Sequence, residues 1–327
     1  MKLAAFDVGT NTVLMLVAES LPDGKFKPIL ERSRITRLGK GVEKNGKLDK
    51  ETSRLTLDTI AEFAESARAA GAEKIIAAAT SALRDAGDGA DFIQRVKDKA
   101  RVELQIIPGD EEAELSRLAV KRSLDLSSDL RVLITDIGGG STELIRSEPG
   151  RDLATVSLQI GSVRLTERII QHDPPSKEEI AKLTETIDEQ LEKLGWTFRP
   201  DALVGIAGTV TTIAAVALKM ADYDSSRVHG YVLARDEVSA IAKRFGELPL
   251  AERKKIPGLL EARADVIFAG SVILERVMKR FDVGHVIVSD QGVRWGLVWR
   301  ELDRSSSQTS TATASQTSSG TSSQTSS

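Results

Sequence analysis

Residues 4–12 read AAFDVGTNT, and residues 133–142 read LITDIGGGST. Each is an apolar run ending in aspartate, then Val or Ile, then glycine and small polar residues. A second apolar run follows each, Thr12–Ala18 in the first copy and Thr142–Arg146 in the second. The pattern reads as strand, tight turn, strand. Gly9 and Gly138, Gly139 and Gly140 let the backbone approach a ligand, and successive amides in such a turn form a nest for an anion. Thr10, Asn11, Thr12, Ser141 and Thr142 add side-chain donors. Asp7 and Asp136 stand where they can hold a hydrated Mg²⁺, which takes one or two carboxylates beside phosphate oxygens. An ordinary hairpin would explain either turn alone, because Gly and Asn are common turn residues. Two copies, each with Asp two residues before Gly, favour two turns gripping phosphate from opposite walls of a cleft. The aspartates lie 129 residues apart, so the unit opens each half of the chain and implies two lobes of similar fold.

Outward from these turns, strand and helix patterns alternate. Leu48–Ala70 has a long helical period closed by Gly71, Lys74–Ala79 is a buried-strand run, and Glu103–Ile107 precedes a helix over Glu111–Leu124. Leu130–Thr135 is a strand, Lys177–Leu194 a helix behind Pro174-Pro175-Ser176, and Ala202–Ile206 a strand before a helix over Val210–Leu218. Helices over Val266–Phe281 and Val293–Leu302 flank a strand at His285–Ser289. The chain is α/β throughout. Its 327 residues suit two domains, with 41% hydrophobic and 28% charged residues. It has no cysteine, which excludes disulfides, thiolate catalysis and cysteine-held metals. A net charge of −3 makes neither a nucleic-acid module nor a basic membrane surface. The N-terminus reads as no secretory signal, and no apolar run is long enough to cross a bilayer. The expectation is a cytoplasmic protein.

Other residues have bland readings. Glu111-Glu112, after Pro108-Gly109, suit a helix N-terminus through the macrodipole. Arg84 reads alone as a solvated cation. Arg32, Arg34, Arg37 and Lys40 can form one wet positive strand face, and Arg253-Lys254-Lys255 a solvated one. His172-Asp173 reads as a helix exit before the prolines.

Together with both glycine turns, ITRLGKGV (Ile35–Val42), ATSALRDA (Ala79–Ala86), IPGDEEAELSRLAV (Ile107–Val120), GIAGTVTTIAAV (Gly205–Val216) and SDQGVRWGL (Ser289–Leu297) make the chain resemble the exopolyphosphatase/guanosine pentaphosphate phosphatase family over almost all of residues 1–304. The resemblance implies two ribonuclease H-like lobes of the actin-like ATPase superfamily with a cleft between them. The lobes would span 1–125 and 126–304, with the final helix free to pack back on the first. It implies that Glu112 is the base that activates water, that Arg84 clamps the terminal phosphate, and that Gly208 and Thr209 join the phosphate-binding turns. It puts Glu143 with Asp7 and Asp136 at the metal, Mg²⁺ or Mn²⁺. The implied reaction removes the terminal phosphate of inorganic polyphosphate. Guanosine pentaphosphate hydrolysis, with tetraphosphate as a related ligand and a link to the stringent response, is the alternative. A silent polyphosphate or alarmone sensor is a third reading, which the intact Glu112 opposes. A homodimer is compatible with all three.

Residues Ser305–Ser327 contain 11 Ser and 6 Thr, without a charge. Such a tract builds no core and is expected to be disordered. Deleting it should leave the melting temperature and turnover nearly unchanged. A fall of several degrees in a thermal melt would show that the tail docks.

Overall fold

The computed structural model describes residues 1–304, so the expectation for the Ser/Thr tail lies outside the described residues. Two sheets repeat one design. The first contains β1 (Lys2–Val8), β2 (Thr12–Ser20), β3 (Phe26–Ile35), β4 (Lys74–Ala79) and β5 (Leu104–Ile106), in the order β3-β2-β1-β4-β5. The second contains β6 (Val132–Ile137), β7 (Thr142–Ser147), β8 (Ala154–Leu158), β9 (Ala202–Ile206), β10 (Val232–Ala234) and β11 (His285–Val288), in the order β10-β11-β9-β6-β7-β8. In each, three antiparallel strands lead and a parallel strand follows, β4 beside β1 and β9 beside β6. This is the ribonuclease H-like arrangement, built twice, with β10 as an extra antiparallel edge.

Sequence patterns explain most of the elements. Every residue of β6 is buried, as its near-continuous apolar run requires at the sheet centre. Helix Lys50–Ala69 starts at Asp49, whose carboxylate accepts from the Glu51 and Thr52 amides. It stops at Gly71, with φ 88°. Helix Lys177–Glu192 starts in a capping box of Ser176 and Glu179. β3 and β8 carry no long apolar run because they are edge strands; β3 is mostly exposed and holds Lys27, Glu31, Arg32 and Arg34. Among the described residues no helix is long and apolar enough to cross a membrane.

Two helices join the lobes. Helix Gly109–Ser123 lays Ala113 and Val120 on Val132, Ile134, Ile145 and Val204 of the second sheet. Its Leu115 meets the other neighbour, the helix over 293–304. That last helix presses Val293, Leu297 and Val298 onto Leu3, Ala5, Leu16 and Phe26 of the first sheet. The two helices touch at Gly296, where an added Cβ would lie 2.1 Å from the Leu115 carbonyl oxygen.

The basic clusters match their wet-face readings at Arg32, Lys40, Lys254 and Lys255, which are exposed, and depart from them at Arg34, Arg37 and Arg253. Arg34 forms a two-pronged pair with Glu62, at 2.5 and 2.9 Å. Arg37 crosses to the second lobe and meets Asp265 at 2.6 Å and the Ala262 carbonyl at 2.8 Å. Arg253 is buried rather than solvated and holds Asp173 at 2.9 Å, because Asp173 also caps the Leu250 amide. Arg164 adds a further tie, donating to the Gly140 carbonyl at 2.6 Å and pairing with Glu43 and Asp85.

Gly296→Ala tests the helix crossing. Backbone is what the new methyl meets, so the two helices must part, at a cost of about 1–3 kcal/mol. Urea unfolding should report that loss, and an unchanged midpoint would refute the close crossing.

Candidate active site

The two glycine turns close in the same way. The Gly9 amide donates to the Thr12 carbonyl at 3.0 Å, and the Gly138 amide to the Ser141 carbonyl at 3.0 Å. The amides of Thr10, Asn11, Gly139 and Gly140 meet no acceptor among the described residues. The turns also touch: Thr10 and Ser81 lie against Gly140, where an added Cβ would be 2.1 Å from Ser81 Oγ. Thr10 and Ser81 share a hydrogen bond at 2.8 Å.

A cleft of about 860 Å³ opens between the lobes and receives Asp7, Gly9, Thr10, Asn11, Thr12, Glu112, Asp136, Gly138, Gly139, Gly140, Ser141, Gly208 and Thr209. Thr142 is not among them. Its side chain is buried and its hydroxyl donates to the Ile160 carbonyl at 2.5 Å. Glu143 lies behind the turn. Asp136 and Glu143 are directly paired across β6 and β7 and therefore share a face. The matching partner of Asp7 is Leu14, so only the second lobe carries two carboxylates here.

Helix Gly109–Ser123 crosses that face. Glu112, 8% exposed, and Ser116 stand one turn apart, and the Ser116 hydroxyl donates to Asp136 Oδ2 at 3.0 Å. Glu143 Oε1 accepts from Ser157 at 2.7 Å, while its Oε2 is buried without a partner. Arg84 does not line the cleft. Its Nη1 donates to Glu112 Oε2 at 2.8 Å and to the Ile107 carbonyl at 2.7 Å, and its Nη2 is buried and unpartnered. Arg84 thus holds Glu112 in this state. Glu111 points the other way, to Arg300 of the last helix, so it is an inter-helix tie rather than a simple N-terminal charge.

Burial dominates the electrostatics. It pushes Asp7 up to about 8, helped by the charges of Glu112 and Asp136 and opposed by Arg294. It pushes Asp136 up to about 7, with Glu112 adding and Ser116 opposing. Glu143 is raised well above the usual carboxylate range by burial and then by Glu112 and Asp136. Burial also raises Glu112, against the opposing pull of Arg84. Crowded oxygen donors with this bias suit a hard divalent cation. Among the described residues no three acidic or histidine side chains converge enough to hold one unaided, so water and ligand oxygens must complete any coordination.

Sequence reasoning missed several cleft residues. The registers Asp7↔Ala78 and Asp136↔Ile206 put Thr80-Ser81 where the second lobe has Gly208-Thr209. Comparing ATS at 79–81 with AGT at 207–209 could have found them. Helix Ala207–Ala217 begins three residues earlier than its apolar period suggests, because Ala207 turns at φ 67°, strained backbone for a residue with a Cβ. Its first amides thereby face the cleft. The Arg263 guanidinium lies over Gly208, 2.1 Å from where a Cβ would stand, and donates to Thr12 at 3.3 Å. Buried Arg294 meets Glu31 at 2.9 Å. Arg294 lies in the SDQGVRWGL motif, but nothing local in the sequence marks either arginine as a cleft residue.

Known proteins share this architecture. Exopolyphosphatase 1 of Mycobacterium tuberculosis is 31% identical over 314 residues, covering 95% of this chain and 91% of its own. The crystal structure of the Aquifex aeolicus Ppx/GppA family member is 34% identical, covers 93% of this chain and 98% of its own, and matches with a TM-score of 0.79. An exopolyphosphatase structure from Cytophaga hutchinsonii matches at 28% identity with the same coverage and a TM-score of 0.86. The model of the Ppx/GppA phosphatase family matches residues 16–305, and the chain belongs to that family.

Proposed function

We propose that this protein is an exopolyphosphatase that releases the terminal phosphate of inorganic polyphosphate. The observation that carries the reading is Glu112: a buried carboxylate facing the cleft, held at one oxygen by Arg84, beside two anion-binding glycine turns. Such a group suits the work of taking a proton from water. Amides of Thr10, Asn11, Gly139 and Gly140 and of the Gly208-Thr209 helix start bind phosphate oxygens. Arg263, which has no carboxylate hydrogen-bonded to it among the described residues, adds positive charge from the second lobe. Asp7, Asp136 and Glu143 would hold Mg²⁺ or Mn²⁺, with the orphaned Glu143 Oε2 as a ready donor. Such an ion supplies charge neutralisation at the phosphate oxygens. Water attacks the terminal phosphorus, its proton passes to Glu112, and the bridging P–O bond breaks toward the shortened chain. Phosphoryl transfer asks little more of a protein than positioning and charge stabilisation.

One observation favours a second substrate. Beyond the turns the cleft becomes apolar, with Met220, Ile256, Pro257, Leu259 and Leu260 beside Tyr223. A bare polyanion makes no use of such a wall, whereas the base of guanosine pentaphosphate does. Phosphate release from short and long polyphosphate, guanosine pentaphosphate and ATP, with and without Mg²⁺, ranks the readings. No release from any of them, despite binding, would leave the sensor reading.

Glu112→Gln keeps shape but loses the proton acceptor. Turnover should fall roughly 10²–10⁴-fold while polyphosphate affinity holds. Glu111→Gln loses only the half-buried pair with Arg300, worth about 1 kcal/mol, and should keep normal turnover. Near-normal turnover in Glu112→Gln would overturn the assignment.

The raised carboxylates predict a pH effect. An acid whose folded value lies above its unfolded one costs nothing below about pH 4 and costs most above its folded value. Without metal, stability should therefore fall as pH rises from about 4 to the 7 to 8 range of Asp136 and Asp7, and level off above it. A divalent cation removes that cost and displaces protons. The rise in melting temperature on adding Mg²⁺ should thus be larger at pH 8.5 than at pH 5.5. An equal or reversed effect would count against a cation among these groups.

A further inference from the structure

Asp136 and Glu143 are each hydrogen-bonded by a neutral donor, and the Ser141 hydroxyl stands near Glu143 as well. Ser116, wholly buried one turn beyond Glu112, donates to Asp136 Oδ2 at 3.0 Å. Ser157, on the edge strand β8, donates to Glu143 Oε1 at 2.7 Å. Neither carboxylate is hydrogen-bonded to a lysine or arginine among the described residues. Ser157 has a second contact. A Cβ on Gly109 would lie 2.6 Å from Ser157 Cβ and 2.9 Å from its Oγ, so glycine at 109 makes room for this serine. Gly109 opens the helix that carries Glu112 three residues later. Ser157 therefore stands between Glu143 and the start of that helix.

A serine on an edge strand often bonds the nearest acceptor without further consequence. Two observations separate this one from that case. The acceptor is a buried carboxylate whose other oxygen, Oε2, has no partner. The helix start also gives up a side chain to let the serine in. A hydroxyl tied to one carboxylate oxygen fixes the rotation of the group and so the direction of the free oxygen. A lysine or arginine would fix it too, but would cancel the charge that a cation needs.

We propose that Ser157 and Ser116 are positioning residues, whose hydroxyls aim the free oxygens of Glu143 and Asp136 at the divalent cation, with Ser157 also setting the start of the helix that bears Glu112. This rests on the metal-assisted reading above. Outer partners of metal-binding carboxylates commonly change metal affinity by about 10–100-fold when removed.

The test titrates Mg²⁺ against melting temperature with no substrate present, on the full chain, Ser157→Ala, Ser116→Ala and Gly109→Ala. In Gly109→Ala the hydroxyl stays but is pushed aside. The half-saturating Mg²⁺ concentration should rise roughly 10–100-fold in each variant, while the metal-free melting temperature of Ser157→Ala stays near that of the unsubstituted chain. If Ser116→Ala fails to fold, Ser157→Ala on its edge strand decides. An unshifted half-saturating concentration in Ser157→Ala, with or without a lower metal-free melting temperature, makes the serine merely structural and overturns the proposal. No Mg²⁺ response in the unsubstituted chain overturns the metal-assisted reading itself, and the proposal with it.

Discussion

Four carboxylates crowd one another's electric field, Glu112, Asp136 and Glu143 buried and Asp7 half-buried at the cleft wall, and one hydrogen-bonded arginine, Arg84, stands among them. Ionised acids out of water are costly unless paired, so the surrounding structure must hold them together by force of packing. Helix Gly109–Ser123 does this, wedged between the second sheet and the last helix, with apolar contacts on both sides. Proteins commonly store such strain where chemistry is done.

The two lobes share a plan but divide the labour. The first contributes Thr10, Asn11 and the Thr80-Ser81 corner, with polar side chains around its turn. The second contributes a barer turn of three glycines and the strained Ala207 corner. Glycine in the second lobe and hydroxyls in the first are complementary: Thr10 and Ser81 fill the space that Gly139 and Gly140 leave. The carboxylates are also uneven, since Leu14 occupies the position that Glu143 fills in the other copy. A duplicated fold has thus become a site with one acidic wall.

Much of this was legible in the sequence. The AAFDVGTNT and LITDIGGGST units gave the sheet centres, the turns and the two-lobed plan, because buried parallel strands and glycine turns leave strong local patterns. The edge strands β3 and β8 left none: solvent-facing charge breaks the apolar period of β3, and β8 is only five residues, mostly half-buried, with two hydroxyls among them. The helix start at Ala207 was misread because a left-handed alanine has no sequence signature. Arg84 could be singled out, but its hold on Glu112 could not, since that contact joins a short helix after β4 to one after β5. Ser157, Arg263 and Arg294 reach the site from distant segments, and only the fold brings them there.

The last helix covers a face of the first sheet that would otherwise expose Leu3, Ala5, Leu16 and Phe26 to water. Those residues are made before the whole second lobe, and the helix that shelters them after it. The first lobe therefore cannot finish folding as it leaves the ribosome. It must wait, with an apolar face bare, through the making of the entire second lobe, an interval in which such surfaces invite chaperones or aggregation. Chain order and folding order part company here, and a helix made after the second lobe completes the first sheet.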